Sequence, residues 1–331
     1  MKNVEFKSLA ILFFATLLAS SVSVADQKIL VIHSYHAEFS WVQQYSLALE
    51  TRLSDFNLEL DHRYLDTKRI PQEQYETAAR LTWQYYQQSK ADYIAIILAD
   101  DNAFRLLSTE ISSIDIPVYF LGLNNNPRKY FKNSSLPANI FGVVERPLFI
   151  RNMLLVRELI PNLKSILVLF DDSITSKILL AEDLNANNLA NLGIQVRVEM
   201  INNIMDWKSA INDANEDIIY IGLYQTLVDE NNKNVDAEAL LEWTSLNSQK
   251  PLFGFWDFAV GENKTAGGLV LNGYEQGSLV ADFIVARING SNHQPRVIQS
   301  LHGQLTFSQS MLLKYQLTIP PNLKGQIHWL P

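Results

Sequence analysis

Cysteine is absent from all 331 residues. No disulfide can brace the fold and no acylated cysteine can tether it, so the mature chain is expected to be a free soluble protein, not a lipoprotein, resting on its own core. Glycine and proline number only 13 and 11; they are scattered and form no low-complexity run, which argues against a linker-separated array. Positive charge is also scarce, since 27 Lys and Arg against 35 Asp and Glu leave a formal −8. With nothing basic to track phosphates, no nucleic acid is expected as a partner. Catalytic signatures are missing as well: there is no GxSxG elbow, no HExxH and no glycine loop to cradle phosphate. No enzyme activity and no cofactor is expected.

The one long apolar run lies at the amino end. Lys2 and Lys7 flank the start of "LAILFFATLLASSVSVA" (9–25), and Ser23 and Ala25 stand at the minus-three and minus-one positions of a signal peptide. Residues 1–25 are therefore read as a leader cleaved after Ala25, with an uncleaved anchor as the alternative, although the apolar part is short for a span. Loss of Lys2, Lys7 and Glu5 removes a net +1 and takes the charge from −8 to −9. An apolar share of 47% with 19% charged residues describes a packed soluble protein with length enough for two lobes. A bacterial periplasm fits best.

From Lys28 onward short apolar runs alternate with segments of helical period, the pattern of an α/β protein built from βαβ units with parallel sheets. One set of strands is expected at 29–32, 93–98, 118–121 and 140–144, and a second at 166–170, 194–200, 218–221 and 252–255. A helix is expected over 41–56, with Tyr45, Ala48, Leu49, Leu53 and Phe56 on one stripe. "IQVRVEM" alternates and reads as a half-exposed edge strand, whereas "YIAIIL" is continuous and central. Two sheets are more economical than a single eight-stranded one. Later, "AGGLVLNGYEQGSLVADFIVARING" supplies a strand and a helix with Leu279, Val280, Phe283, Ile284 and Ile288 buried. The tail "GQLTFSQSMLLKYQLTIPPNL" adds a strand, a short helix capped near Ser308 and a Pro-Pro stop. These read as returns to two earlier lobes. The expected division is 26–146 with 260–303, and 147–259 with 304–331, crossed three times.

In open parallel sheets ligands sit beyond the carboxyl ends of the strands. Those ends are polar and aromatic throughout. Ser34 and Tyr35 follow the first strand, with Trp41 one turn into the helix. Asp100 and Asp101 follow the next, then Asn124 and Asn125, with Glu145 after "GVV". In the second set come Asp171 and Ser173, then Tyr224, then Trp256 and Asp257. These twelve residues, Glu145 aside, are the candidate ligand contacts, with Tyr35 and Trp256 as stacking walls. The plain alternatives are that Asp101 and Ser173 only cap helices and that Trp41 is only core. "HSYH" spaces His33 and His36 three apart, but a strand-ending His33 faces away from His36, so no metal is expected.

The stretches "ILVIHSYHAEFSW", "PVYFLGLNN", "NIFGVVERPLFIRNMLLVRELIPNLKSILVLFDDS", "PLFGFWDFAVGENKTAGGLVLNGYEQG" and "LTIPPNL" resemble the ABC transporter substrate-binding protein family. The similarity is to the type I periplasmic-binding fold, in the branch that also occurs as extracytoplasmic sensor domains, and it covers nearly all of the mature chain. It implies two Rossmann-like lobes closing on a small molecule, with cleft loops at Ser34 and Tyr35, Asp100 and Asp101, Asn124 and Asn125, Asp171 and Ser173, and Trp256 and Asp257. Amino-acid-binding members tend to carry small residues and Thr where this chain has "ADDNAF", which counts against an amino-acid ligand. The expected function is a monomeric periplasmic solute-binding protein that delivers to an ABC permease by hinge closure. A soluble sensor subunit docking on a membrane histidine kinase or diguanylate cyclase is the second reading. No kinase or cyclase segment follows in the sequence, so a signal would leave through a partner.

Overall fold

The computed structural model describes residues 27–184, 189, 192–291, 295–300 and 302–331. The leader and its cleavage point lie outside the described residues. Among those described, no helix is long and apolar enough to cross a membrane.

β1 (Gln27–His33), β2 (Leu58–Tyr64), β3 (Tyr93–Ala99), β4 (Val118–Leu123) and β5 (Ile140–Val144) form the first parallel sheet. The second contains β6 (Ser165–Asp171), β7 (Gln195–Ile201), β8 (Ile218–Ile221) and β9 (Leu252–Gly254) in the order β7-β6-β8-β9. β10 (Gly267–Val270), β12 (Gln304–Ser308) and β13 (His328–Leu330) make a small mixed sheet, and β11 (Val297–Gln299) completes the first sheet in the order β11-β5-β4-β3-β1-β2. The helices are α1 (Ser40–Leu53), α2 (Tyr75–Gln88), α3 (Asp100–Ile111), α4 (Phe149–Leu159), α5 (Ile174–Glu182), α6 (Ile204–Asn212), α7 (Ala237–Asn247), α8 (Gly273–Ile288) and α9 (Gln309–Lys314).

Alternation along β1 shows why its run is continuously apolar. Ile29 and Val31 join one core with residues of α1 and α8, while Leu30 and Ile32 join another with residues of α2 and α3. Both faces are covered, so neither can be polar. β7 lies at an edge and β3 in the interior, as their patterns predict.

α1 ends at Leu53, short of the expected 56, because a 3₁₀ turn follows and Asn57 turns left-handed at φ 48°. Its buried stripe of Trp41, Tyr45, Ala48 and Leu49 packs on α8. That contact is close: a Cβ on Gly277 would lie 2.3 Å from the Tyr45 carbonyl oxygen. On α8, Val280, Phe283 and Ile284 are buried, but Ile288 is 46% exposed in the last turn.

Three features escape the sequence pattern. β2 reads "LELDHRY", too polar to register as a strand because it is an outer, half-exposed one. β11 and β13 are three residues each, too short for periodicity. The third is the return path: β10 pairs antiparallel with β12 and packs against β9, so 267–270 goes with the second sheet and not with 260–303 in lobe 1. Its partner strand lies some way along the chain, which local pattern cannot reveal.

In the first sheet the neighbours of β1 are β2 and β3, and in the second those of β6 are β7 and β8. At such switch points successive connections leave on opposite sides and open a crevice at the strand ends. The polar residues converge there.

Candidate ligand-binding cleft

A small cavity of ≈ 20 Å³ is lined by residues that follow strands of both parallel sheets: Tyr35, Asp100, Asn124 and Glu145 from the first, Thr175, Leu223 and Trp256 from the second. Phe39, Trp41, Lys68 and Phe258 close its wall. Outside it lies a cavity of ≈ 550 Å³ between the 67–75 and 172–177 segments, reaching Asn232 and Asn234. Tyr35, Lys68, Thr175 and Leu223 border both spaces.

Each functional group is fixed by its own supports. Trp41 Nε1 donates to Asp100 Oδ1 at 3.0 Å, and Trp256 Nε1 donates to Glu145 Oε1 at 2.5 Å. The rings of Tyr35, Phe39, Phe258 and Trp256 touch in sequence, with centroids 5.6, 5.4 and 6.0 Å apart. Lys68 Nζ sits 4.5 Å over the Tyr35 ring and 5.0 Å over Phe39, and donates to Gln225 Oε1 at 3.0 Å across the crevice. Asp100 carries a left-handed backbone, φ 68°, at the first residue of α3, an arrangement that stores roughly 1–3 kcal/mol in a non-glycine residue.

Three buried oxygens of residues lining these spaces accept nothing: Asp100 Oδ2 and Asn124 Oδ1 at the inner cavity and Asn102 Oδ1 at the outer one. Unsatisfied buried groups are costly, about 1–3 kcal/mol each, and are rare without a purpose. Burial pushes the Asp100 carboxyl well above the carboxylate range, with Glu145 adding to it. Burial likewise raises Glu145 to about 8, against the Trp256 hydrogen bond. Lys68 is lowered by burial to about 8, while Asp171, Asp100 and Glu145 oppose the shift.

Of the twelve candidate contacts, Tyr35, Trp41, Asp100, Asn124 and Trp256 border the inner cavity and Ser173 the outer one. The others are placed behind the wall. Ser34 accepts from Ala103 N and donates to the Ala99 carbonyl, fastening α3 to β1. Asp101 accepts from the backbone N–H groups of Asn124 and Asn125 at 3.1 and 3.0 Å, holding the end of β4, so it is not a helix cap. Asn125 donates to the Tyr130 hydroxyl. Asp171 is fully buried and accepts from Ser176 Oγ at 2.6 Å and Thr226 N at 3.1 Å. Tyr224 is buried in the core, and Asp257 faces a separate pocket while accepting from Gln44 at 2.8 Å. Ser173 does cap α5 through Ser176 N. Both ring nitrogens of His33 are engaged, by Tyr45 and His62, so it does not turn toward His36.

Lys68, Phe39, Thr175, Leu223 and Phe258 were not foreseen from the strand ends. Thr175 stands in the first turn of α5, Phe258 in a 3₁₀ turn and the others in loops, and Lys68 follows the one strand whose pattern was too polar to recognise. Glu145 had a visible signal, a lone acid directly after the apolar run of β5.

The family model for ABC transporter substrate binding proteins matches residues 65–325. No curated protein sequence matches. Among solved structures, a conserved domain protein from Vibrio cholerae O1 superposes with TM-score 0.66 at 18% identity, covering 92% of this chain and 100% of that one. The ABC domain from Streptococcus pneumoniae in complex with L-Trp gives 0.68 at 15%, covering 92% and 100%. The periplasmic binding protein of the arabinose ABC transporter from Shewanella sp. ANA-3, bound to L-arabinofuranose, gives 0.54 at 14%, covering 87% and 94%. At these identities the structural likeness establishes the type I periplasmic binding protein fold. The sequence match goes further: the chain belongs to the ABC transporter substrate-binding protein family.

Proposed function

We propose that this protein is an extracytoplasmic solute receptor that holds one small molecule between its two halves and presents it to a membrane ABC permease, without transforming it. The observation that carries the reading is convergence. Residues following strands of both sheets border one cavity, and Asp100 Oδ2 and Asn124 Oδ1 beside it have no partner within the protein. The bound sugar and the bound L-Trp of the Shewanella and Streptococcus proteins support a small-molecule ligand in this fold. The chain would be exported as a monomer, its leader cleaved after Ala25. Its lobes would hinge where the chain passes from β5 to α4, from β10 to α8, and from β11 to β12. A ligand touching both lobes favours closure by the contacts it gains only in the closed state.

A thermal-shift screen of the mature protein against amino acids, amines, sugars, nucleosides and vitamins tests this. A ligand of the cleft raises the melting temperature by mass action, and Trp256→Ala should weaken its binding by about 1–3 kcal/mol. A ligand that binds wild type and Trp256→Ala equally does not sit here.

A further inference from the structure

The two buried polar atoms of the inner cavity wall that lack a partner are both oxygens, one of a carboxyl and one of an amide. Asp100, Asn124 and Glu145 reach it from the ends of three adjacent strands, and the indole N–H groups of Trp41 and Trp256 are already engaged by two of those acids. Asp100 is 3% exposed and Asn124 4%, yet Asp100 Oδ2 and Asn124 Oδ1 receive no hydrogen bond. A wall of this kind is complementary to a head group that only donates, and an ammonium has three donors and no acceptor. The aromatic faces around it favour the same charge. Lys68 already holds its own ammonium over two of these rings.

Charge balance points the same way. Asp101 and Tyr35 also face the acid pair, Asp171 faces Lys68, and Lys68 and Arg146 are the cations set against them. Once a cation has displaced the protons of Asp100 and Glu145, these two and Asp101 set three negative charges against the two positive ones of Lys68 and Arg146. A cationic ligand reduces that excess, a neutral or zwitterionic one leaves it, and an anion enlarges it. Size narrows the choice further, because ≈ 20 Å³ of open space admits a water-sized group. A primary ammonium fits it and a trimethylammonium does not.

Resting on the receptor reading above, we infer that the ligand is a primary amine without a carboxylate, its ammonium in the inner cavity against Asp100, Asn124 and Glu145 and its body in the outer cavity. Both acids lie above their usual range, so binding a cation expels a proton. The affinity then rises with pH toward about 8, by up to tenfold per unit for each proton released.

Calorimetric titration of the mature protein with butylamine, 2-phenylethylamine, agmatine and spermidine, alongside 2-phenylethanol, 3-phenylpropionate, phenylalanine and choline, tests the inference. The expected result is binding by at least one primary amine, tenfold or more above its alcohol, carboxylate and α-carboxylated counterparts and above choline. Glu145→Gln and Asp100→Asn should each weaken it at least tenfold. Titration in buffers of different ionisation enthalpy should register proton release. Binding of none of the amines overturns the inference, as does equal or tighter binding of phenylalanine or an uncharged analogue. If that tighter binder is lost on Trp256→Ala, the cleft reading survives and only the amine is wrong. Amine binding untouched by Trp256→Ala, Glu145→Gln and Asp100→Asn sinks both.

Discussion

Gly122 lies where the end of β4 passes the buried Asp100 carboxylate, and two constraints meet at it. Its φ is +66°, and a Cβ would stand 2.6 Å from Asp100 Oδ1, the oxygen that Trp41 holds. Gly122→Ala is expected to destabilise by at least about 1–2 kcal/mol from the left-handed backbone alone, and also to loosen ligand binding by displacing Asp100. Urea unfolding checks the first and ligand titration the second. An unchanged unfolding midpoint would show that the backbone there relaxes freely. At this scale the sequence was informative for side chains that immediately follow strands, such as Asp100, Asn124 and Trp256. It was less so for Asp101 and Asp171, because a carboxylate after a strand looks the same whether it faces a ligand or receives backbone N–H groups from a neighbouring turn.

At the scale of elements, the paired strands β1 and β2 and the trio β3, β4 and β5 set opposite pH dependences. His33 on β1 and His62 on β2 share a hydrogen bond of 2.8 Å, and burial lowers both, His33 strongly. Below their ordinary value of 6.5 the unfolded chain binds more protons, so stability falls as pH falls. Glu145, at the end of β5, does the reverse. It keeps its proton up to about 8 in the fold and loses it near 4.5 when unfolded, so stability falls as pH rises between these values. Between 4.5 and 6.5 the two dependences oppose each other, and above 6.5 the decline set by Glu145 is no longer offset by the histidines. In Glu145→Gln the decline toward pH 8 should be reduced by up to about 1.4 kcal/mol per unit, measured by urea midpoints from about pH 5 to about pH 9. Parallel profiles of variant and wild type would contradict the assignment. The elements themselves were legible where burial on two faces made a continuous run, as in β3, and illegible where a strand was outer and half-exposed, as in β2. That omission hid Lys68, which enters the cleft from the loop after β2.

At the scale of the whole molecule, the two-sheet plan follows from the alternation of runs and helices, and α8 packs on α1 and the first sheet while β11 joins that sheet at its edge. The mixed sheet of β10, β12 and β13 was not legible, since its pairings join segments distant in sequence. The halves meet in this structure through Lys68 with Gln225, Asn234 with the Lys68 carbonyl, and Lys129 with Glu182. The last is largely exposed and contributes little, whereas the first two lie at the mouth of the site. Closure and occupancy are thus tied to the same residues. Hydrogen–deuterium exchange of the mature protein, with and without the compound that most raises its melting temperature, measures that tie directly. Joint slowing of amides at the carboxyl ends of β1 and β3 and at those of β6 and β8 is the predicted result. Slowing confined to one sheet's strand ends would contradict a ligand held between the two.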